Sequence, residues 1–153
     1  MQVSQILTRE VETIRPDTTV REAAERMRSM DVGSLPVCDG RNLLGMVTDR
    51  DITIRITAEG RDAATTPVKA AMTPDVSFVF EDQDVQDAAR IMREQQIRRL
   101  PVLSRDKQLV GIVALGDIAQ TGNDRLSGDA LEQISEPSHG RAPNPGQTRR
   151  MDA

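Results

Sequence analysis

Two stretches decide the reading of this chain: GMVTDRDI at residues 45–52 and GIVALGDI at residues 111–118. They share glycine, valine, aspartate and isoleucine at matching places, and they differ where Thr48 stands against Ala114. Upstream, an offset of 65 residues carries Pro36 onto Pro101, and with it Val3 onto Val68, Thr8 onto Thr73, Val11 onto Val76, Val20 onto Val85 and Met27 onto Met92. From Gly45 to Gly111 the offset is 66, so one residue has been added in the polar turn SRDKQ. Such an insertion is tolerated because closure entropy grows only slowly with loop length. The chain is a tandem duplication.

Each copy has the same internal pattern. TVREAAERMRSM places Val20, Ala23, Ala24 and Met27 on one helical face, and DVQDAARIMREQQ does the same with Val85, Ala88, Ala89 and Met92. Asp17 or Thr18 supplies the cap before the first helix, and Asp82 or Asp84 before the second. The pairs SLPVC and LLGMV, then RLPVL and LVGIV, read as strands joined by the polar turns DGRN and SRDKQ. A second helix begins at DRDITIRITAEG in one copy and GDIAQTG in the other, while VETI and VSFVF supply an upstream strand. The fold class is therefore α/β (α+β): two tandem β-α-β-β-α units, at 3–60 and 68–122, with a linker at 61–67. A unit of about 60 residues makes a marginal core alone, so the two are expected to pack sheet to sheet with pseudo-twofold symmetry. Residues 123–135 read as a short helix or extension, and the Pro/Gly-rich 136–153, with the lone His139, as a flexible tail.

Composition excludes several classes. With 37% hydrophobic and 29% charged residues and a net charge of −4, the chain reads as a soluble globular protein. The acidic balance argues against nucleic acid, and two phenylalanines as the whole aromatic set argue against base-stacking platforms. No apolar run approaches the roughly 18 residues of a membrane span, and Arg9 and Glu10 interrupt the N-terminal stretch before it reaches signal-peptide length. The single Cys38, within LPVC, reads as a buried small hydrophobe suited to a reducing cytoplasm.

Catalytic chemistry has little to work with. There is no histidine outside the tail and no CxxC, HExxH, GxSxG or Walker loop. No catalytic residue and no metal ligand is assigned, and the chain reads as a non-enzyme. Thr48 and Asp51, three residues apart at a helix start, admit two readings. One is a capping box; the other is a carboxylate and hydroxyl holding a vicinal diol such as ribose.

The duplicated unit, the xLPVx strands and the GhVTxxD ending together resemble a tandem cystathionine-β-synthase-type (CBS) domain pair, over roughly residues 3 to 120. The resemblance implies a regulatory module that binds an adenosine-containing ligand, with AMP or ATP foremost and ADP, NAD(H) or S-adenosylmethionine also accommodated by the family. Carried onto this sequence, Thr48 and Asp51 would hold the ribose. Thr13, Ile14, Ser34, Leu35 and Pro36 would wall the adenine, and Arg98, Arg99 and Arg50 would meet the phosphates. The second site departs from the family pattern: Ala114 leaves Asp117 without its hydroxyl partner, and Gly33 and Ser34 stand where the paired arginines would be. One full site per chain is expected. The resemblance also implies a homodimer, a disk of four units, serving an effector protein that these residues do not name. The competing reading is a dimerisation or interaction scaffold with a vestigial cleft.

Overall fold

The computed structural model describes residues 1–121, 128 and 131–134. Residues 131–134, within the expected extension, are helical, and the expected tail at 136–153 with His139 lies outside the described residues.

Helix α1 spans Val20–Met30 and is followed by the hairpin β1 (Ser34–Asp39) and β2 (Asn42–Thr48). The short α2 (Asp49–Ile52) runs directly into a π-helical turn at Thr53–Thr57. After two short strands, β3 (Thr73–Pro74) and β4 (Val79–Phe80), the pattern repeats as α3 (Val85–Gln95), β5 (Arg99–Leu103), β6 (Leu109–Ala114) and α4 (Leu115–Ala119). The two-residue turn of the first hairpin uses Gly40 at φ 61°, and the longer second turn places Lys107 at φ 61°.

The caps differ slightly from expectation. Thr19, not Asp17 or Thr18, accepts from the Glu22 amide at 3.2 Å, because the Thr18 carbonyl is already engaged by the Val68 amide at 2.7 Å. Asp84 caps α3 by accepting from Gln86 at 2.8 Å. Both helices bury their periodic face, with Val20, Ala23 and Met27 in one and Val85, Ala88, Ala89 and Met92 in the other. Ala24 instead stays exposed. The expected upstream strand at 11–14 contracts to one parallel bridge, Ile14 to Val37. Pro16 stands two residues on, where a further ladder donor would be needed. Its counterpart β4 pairs in parallel with β5 over Val79 and Phe80.

The two units exchange their opening segments. β3, from the start of the second repeat, adds to the first sheet by pairing Thr73 with Met46 and Pro74 with Gly45. Thr8, from the start of the first repeat, pairs with Ile112 in the second sheet. The exchange extends into the cores: Val68 and Ala71 lie among Ile14, Val20, Val37 and Ile56, while Val3 lies among Val79, Met92, Val102 and Ile118.

This crossing explains the two motif glycines. A Cβ on Gly45 would collide with the Thr73 carbonyl, and one on Gly111 with the Thr8 carbonyl and the Leu7 side chain. The backbones approach too closely for any side chain. A third cluster joins the sheets: Cys38 and Leu43 from the first unit meet Leu103, Leu109, Phe78 and Phe80 from the second. The Leu109 amide donates to the Arg41 carbonyl at 2.8 Å across this joint. The inserted turn is pinned too, since Arg105 forks onto Asp82 at 2.9 Å and lies 4.2 Å over the Phe80 ring. That guanidinium holds the Asp82 carboxyl below its ordinary value.

Burial pushes the Cys38 thiol from its ordinary 9.0 up to about 11. Because the folded value is the higher one, the associated stability is intact below pH 9 and is lost as pH rises from 9 towards 11. The native thiol is accordingly expected to react far more slowly with a disulfide reagent at pH 8 than the urea-unfolded chain does; equal rates would contradict its burial. Gly45→Ala and Gly111→Ala are each expected to cost about 1–3 kcal/mol through overpacking. Gly116→Ala, where an added Cβ meets nothing within 4 Å, is expected to be neutral or stabilising by up to about 1 kcal/mol. Urea midpoints for the three variants check the contrast.

Candidate functional site

The exchanged segments and the C-terminal ends of the two hairpins enclose a cavity of about 1060 Å³. The repeat makes its walls correspond in pairs: Val11 with Val76, Val32 with Ile97, Met46 with Ile112, Thr48 with Ala114, Asp51 with Asp117. Both motif ends therefore open on a single space. Each helix start is held to the residue before its LPV strand, by Asp49 N donating to Gly33 O at 3.0 Å and Leu115 N donating to Arg98 O at 2.8 Å. The strand register sets Ser34 opposite Thr48 and Arg99 opposite Ala114.

The Thr48–Asp51 capping box is formed. Thr48 Oγ1 accepts from the Asp51 amide at 3.0 Å, and the Thr48 amide donates to Asp51 Oδ2 at 3.0 Å. Asp51 is only 8% exposed, an unusual place for a carboxylate. Capping does not exhaust these groups, since a hydroxyl that accepts still has its own proton to donate and a carboxylate has several lone-pair sites. At the second start Ala114 has no acceptor, and only the reverse bond survives, from the Ala114 amide to Asp117 Oδ2 at 2.7 Å. Half the box is missing.

Of the residues singled out from sequence, the cavity brings together Thr48, Asp51, Ser34, Leu35, Pro36, Arg50, Arg98, Arg99 and Asp117. Thr13 and Ile14 do not line it. Ile14 is 2% exposed inside the first core, its amide bonded to Pro36 O and its carbonyl to Cys38 N, and the Thr13 carbonyl accepts from Arg26 at 3.2 Å. The wall expected there is supplied by Glu10, Val11 and Glu12 instead, just before the chain turns into the core.

Sequence reading also missed Arg55. Its guanidinium donates to the Ala71 carbonyl at 2.8 Å, to the Met72 carbonyl and to Thr73 Oγ1 at 3.3 Å, tying the exchanged segment to the π-turn. A π-turn is not legible from residue spacing, so nothing in the sequence placed Arg55 on the wall of the cavity that Arg50 also lines. Arg98 and Arg99 are exposed and Arg50 is partly buried. Glu12 pairs with Arg26 at 3.6 Å. Among the described residues no cluster of histidine, cysteine and carboxylate side chains could hold a metal ion, and no helix is long and apolar enough to cross a membrane.

The CBS-domain model matches residues 3–57 and again 68–122. The chain belongs to the CBS-domain family. CBS pairs are regulatory rather than catalytic modules, generally sensing nucleotides and other adenosyl ligands, and this CBS pair is a non-enzyme accordingly. It is 43% identical over 135 residues to the CBS domain-containing protein YhcV of Bacillus subtilis, covering 87% of this chain and 94% of that one. Among solved structures it resembles Hypoxic Response Protein I with two coordinated zinc ions, at a TM-score of 0.72 and 36% identity over 78% of this chain and 98% of that one. It also resembles CBSX2 in complex with AMP, at a TM-score of 0.69 and 28% identity over 79% of this chain and 95% of that one.

The unequal boxes predict unequal stability effects. Thr48→Ala is expected to cost about 1 kcal/mol, the usual worth of an N-cap side chain, and Ala114→Thr to gain about 0.5–1 kcal/mol by completing the second box. Chemical denaturation of both variants measures this, and an Ala114→Thr chain no more stable than wild type would count against it.

Proposed function

We propose that this CBS pair is an adenine-nucleotide sensor with one complete site per chain. The observation that carries the reading is the gathering, in one cavity, of the Thr48–Asp51 pair with Arg50, Arg98 and Arg99. Asp51 accepts from the two ribose hydroxyls and Thr48 donates its hydroxyl proton beside it. The adenine lies against Ser34, Leu35 and Pro36, with Val11 and Val32 completing the apolar side. Arg98 and Arg99 meet the first phosphate and Arg50 the phosphates beyond it, where a guanidinium matches phosphate oxygens two at a time. Asp117 serves at most a weaker site, because Ala114 brings no hydroxyl and Gly33 and Ser34 bring no positive charge. AMP and ATP are the ligands proposed first, and AMP bound to the structurally similar CBSX2 supports that class.

The sensor acts in the cytoplasm as a homodimer, a disk of four units, and signals to an effector protein through a shift between its two units. A ligand biases such a shift only by binding the two states unequally. The second reading, a scaffold with a vestigial cleft, draws on the closed capping box, which gives Thr48 and Asp51 a structural role of their own.

Calorimetric titration of the full chain with AMP, ATP, NADH and S-adenosylmethionine separates the two. The sensor reading expects about one ligand bound per chain, with binding lost in Asp51→Ala while circular dichroism shows the variant folded. Heat from none of the four, or affinity indifferent to Asp51, would leave the scaffold reading in its place.

A further inference from the structure

The first unit carries a feature that its repeat lacks. Arg50 and Arg55 both line the cavity, and their counterparts in the second unit are Gly116 and Thr121. In an α-helix five residues advance about 1.4 turns, which would set positions 50 and 55 well apart around the axis. The π-turn at Thr53–Thr57 closes i to i+5, as the Ala58 amide donating to Thr53 O at 2.9 Å shows. The π-turn buries Ile56 in the core, and Arg55 lines the same cavity as Arg50.

These two side chains hold buried donors without acceptors. Arg50 Nε and Nη2, and Arg55 Nε, are shielded and have no hydrogen-bond partner among the described residues. Buried guanidinium N–H groups call for an acceptor, preferably an anionic one. The cavity as a whole is not cationic, since Glu10, Glu12, Asp51, Asp75 and Asp117 line it along with four arginines. Attraction for an anion is therefore local to the arginines and not a property of the whole cavity.

We propose that Arg50 and Arg55 form an anion subsite on the first unit's side, separate from Arg98 and Arg99, that takes the terminal phosphates of a nucleoside di- or triphosphate. The subsite rests on the nucleotide reading and sharpens it, making Arg55 a specificity determinant for phosphate number. Arg55 already grips the carbonyls of Ala71 and Met72, so a phosphate on this pair is coupled through Arg55 to the exchanged segment.

The test is titration of AMP, ADP and ATP against the full wild-type chain, Arg50→Gln and Arg55→Lys. Arg50 Nε and Nη2 have no partner among the described residues, so Arg50→Gln reads the subsite, with circular dichroism checking that the variant is folded. Affinity is expected to rise with phosphate number in the wild type. Arg50→Gln is expected to weaken ADP and ATP by about tenfold or more, the worth of a charge-assisted hydrogen bond, and to leave AMP within about twofold. Arg55→Lys, which keeps a cation but loses Nε and the planar fork, is expected to show the same selective loss. Wild-type affinities that ignore phosphate number, or equal losses for all three nucleotides in Arg50→Gln, would overturn the subsite and leave the nucleotide reading standing. Failure of all three nucleotides to bind the wild-type chain would overturn both.

Discussion

The close crossing of two backbones at Gly45 and Gly111 is the constraint on which the rest of the molecule depends. Because Thr73 and Pro74 pass over Gly45, and Thr8 over Gly111, each repeat completes the sheet of the other. Neither unit holds a finished core alone: Val68 and Ala71 belong to the first, Val3 to the second. Two units that would be marginal at their size become one cooperative body. The same crossing builds the cavity, since the exchanged segments are its walls.

Function is concentrated by asymmetry within this symmetric frame. The duplication gave both hairpins a helix start with an aspartate accepting the amide three residues before it. Only the first kept the threonine, and among the described residues only the first is followed by a π-turn, whose Arg55 lines the cleft. The second unit supplies Arg98 and Arg99 in return. A site assembled from unlike halves follows from unequal change at paired positions, and it leaves the scaffold residues Gly, Val, Asp and Ile alike in both.

Most of the fold was legible because repetition, hydrophobic period and turn chemistry all pointed one way. Met27 and Met92, Pro36 and Pro101, Gly45 and Gly111 occupy equivalent places in the structure as they do in the sequence. The readings that moved did so for local reasons. Thr19 displaced its neighbours as the cap because the Thr18 carbonyl was already engaged. The strand at 11–14 shrank to a bridge before Pro16, and Thr13 and Ile14 turned from the cleft to the core.

What the sequence determined by itself was the duplication, the two β-α-β-β-α units and the candidate ribose pair, because these rest on spacing along one chain. What only the tertiary structure decided was which segment completes which sheet, that both motif ends share one cavity, and that Arg55 joins Arg50 there. Strand exchange and a π-turn leave no periodic trace in the residues. They are settled by which backbone can approach a glycine closely enough to pair, and by how a helix must widen to bury Ile56 while Arg55 reaches the exchanged segment.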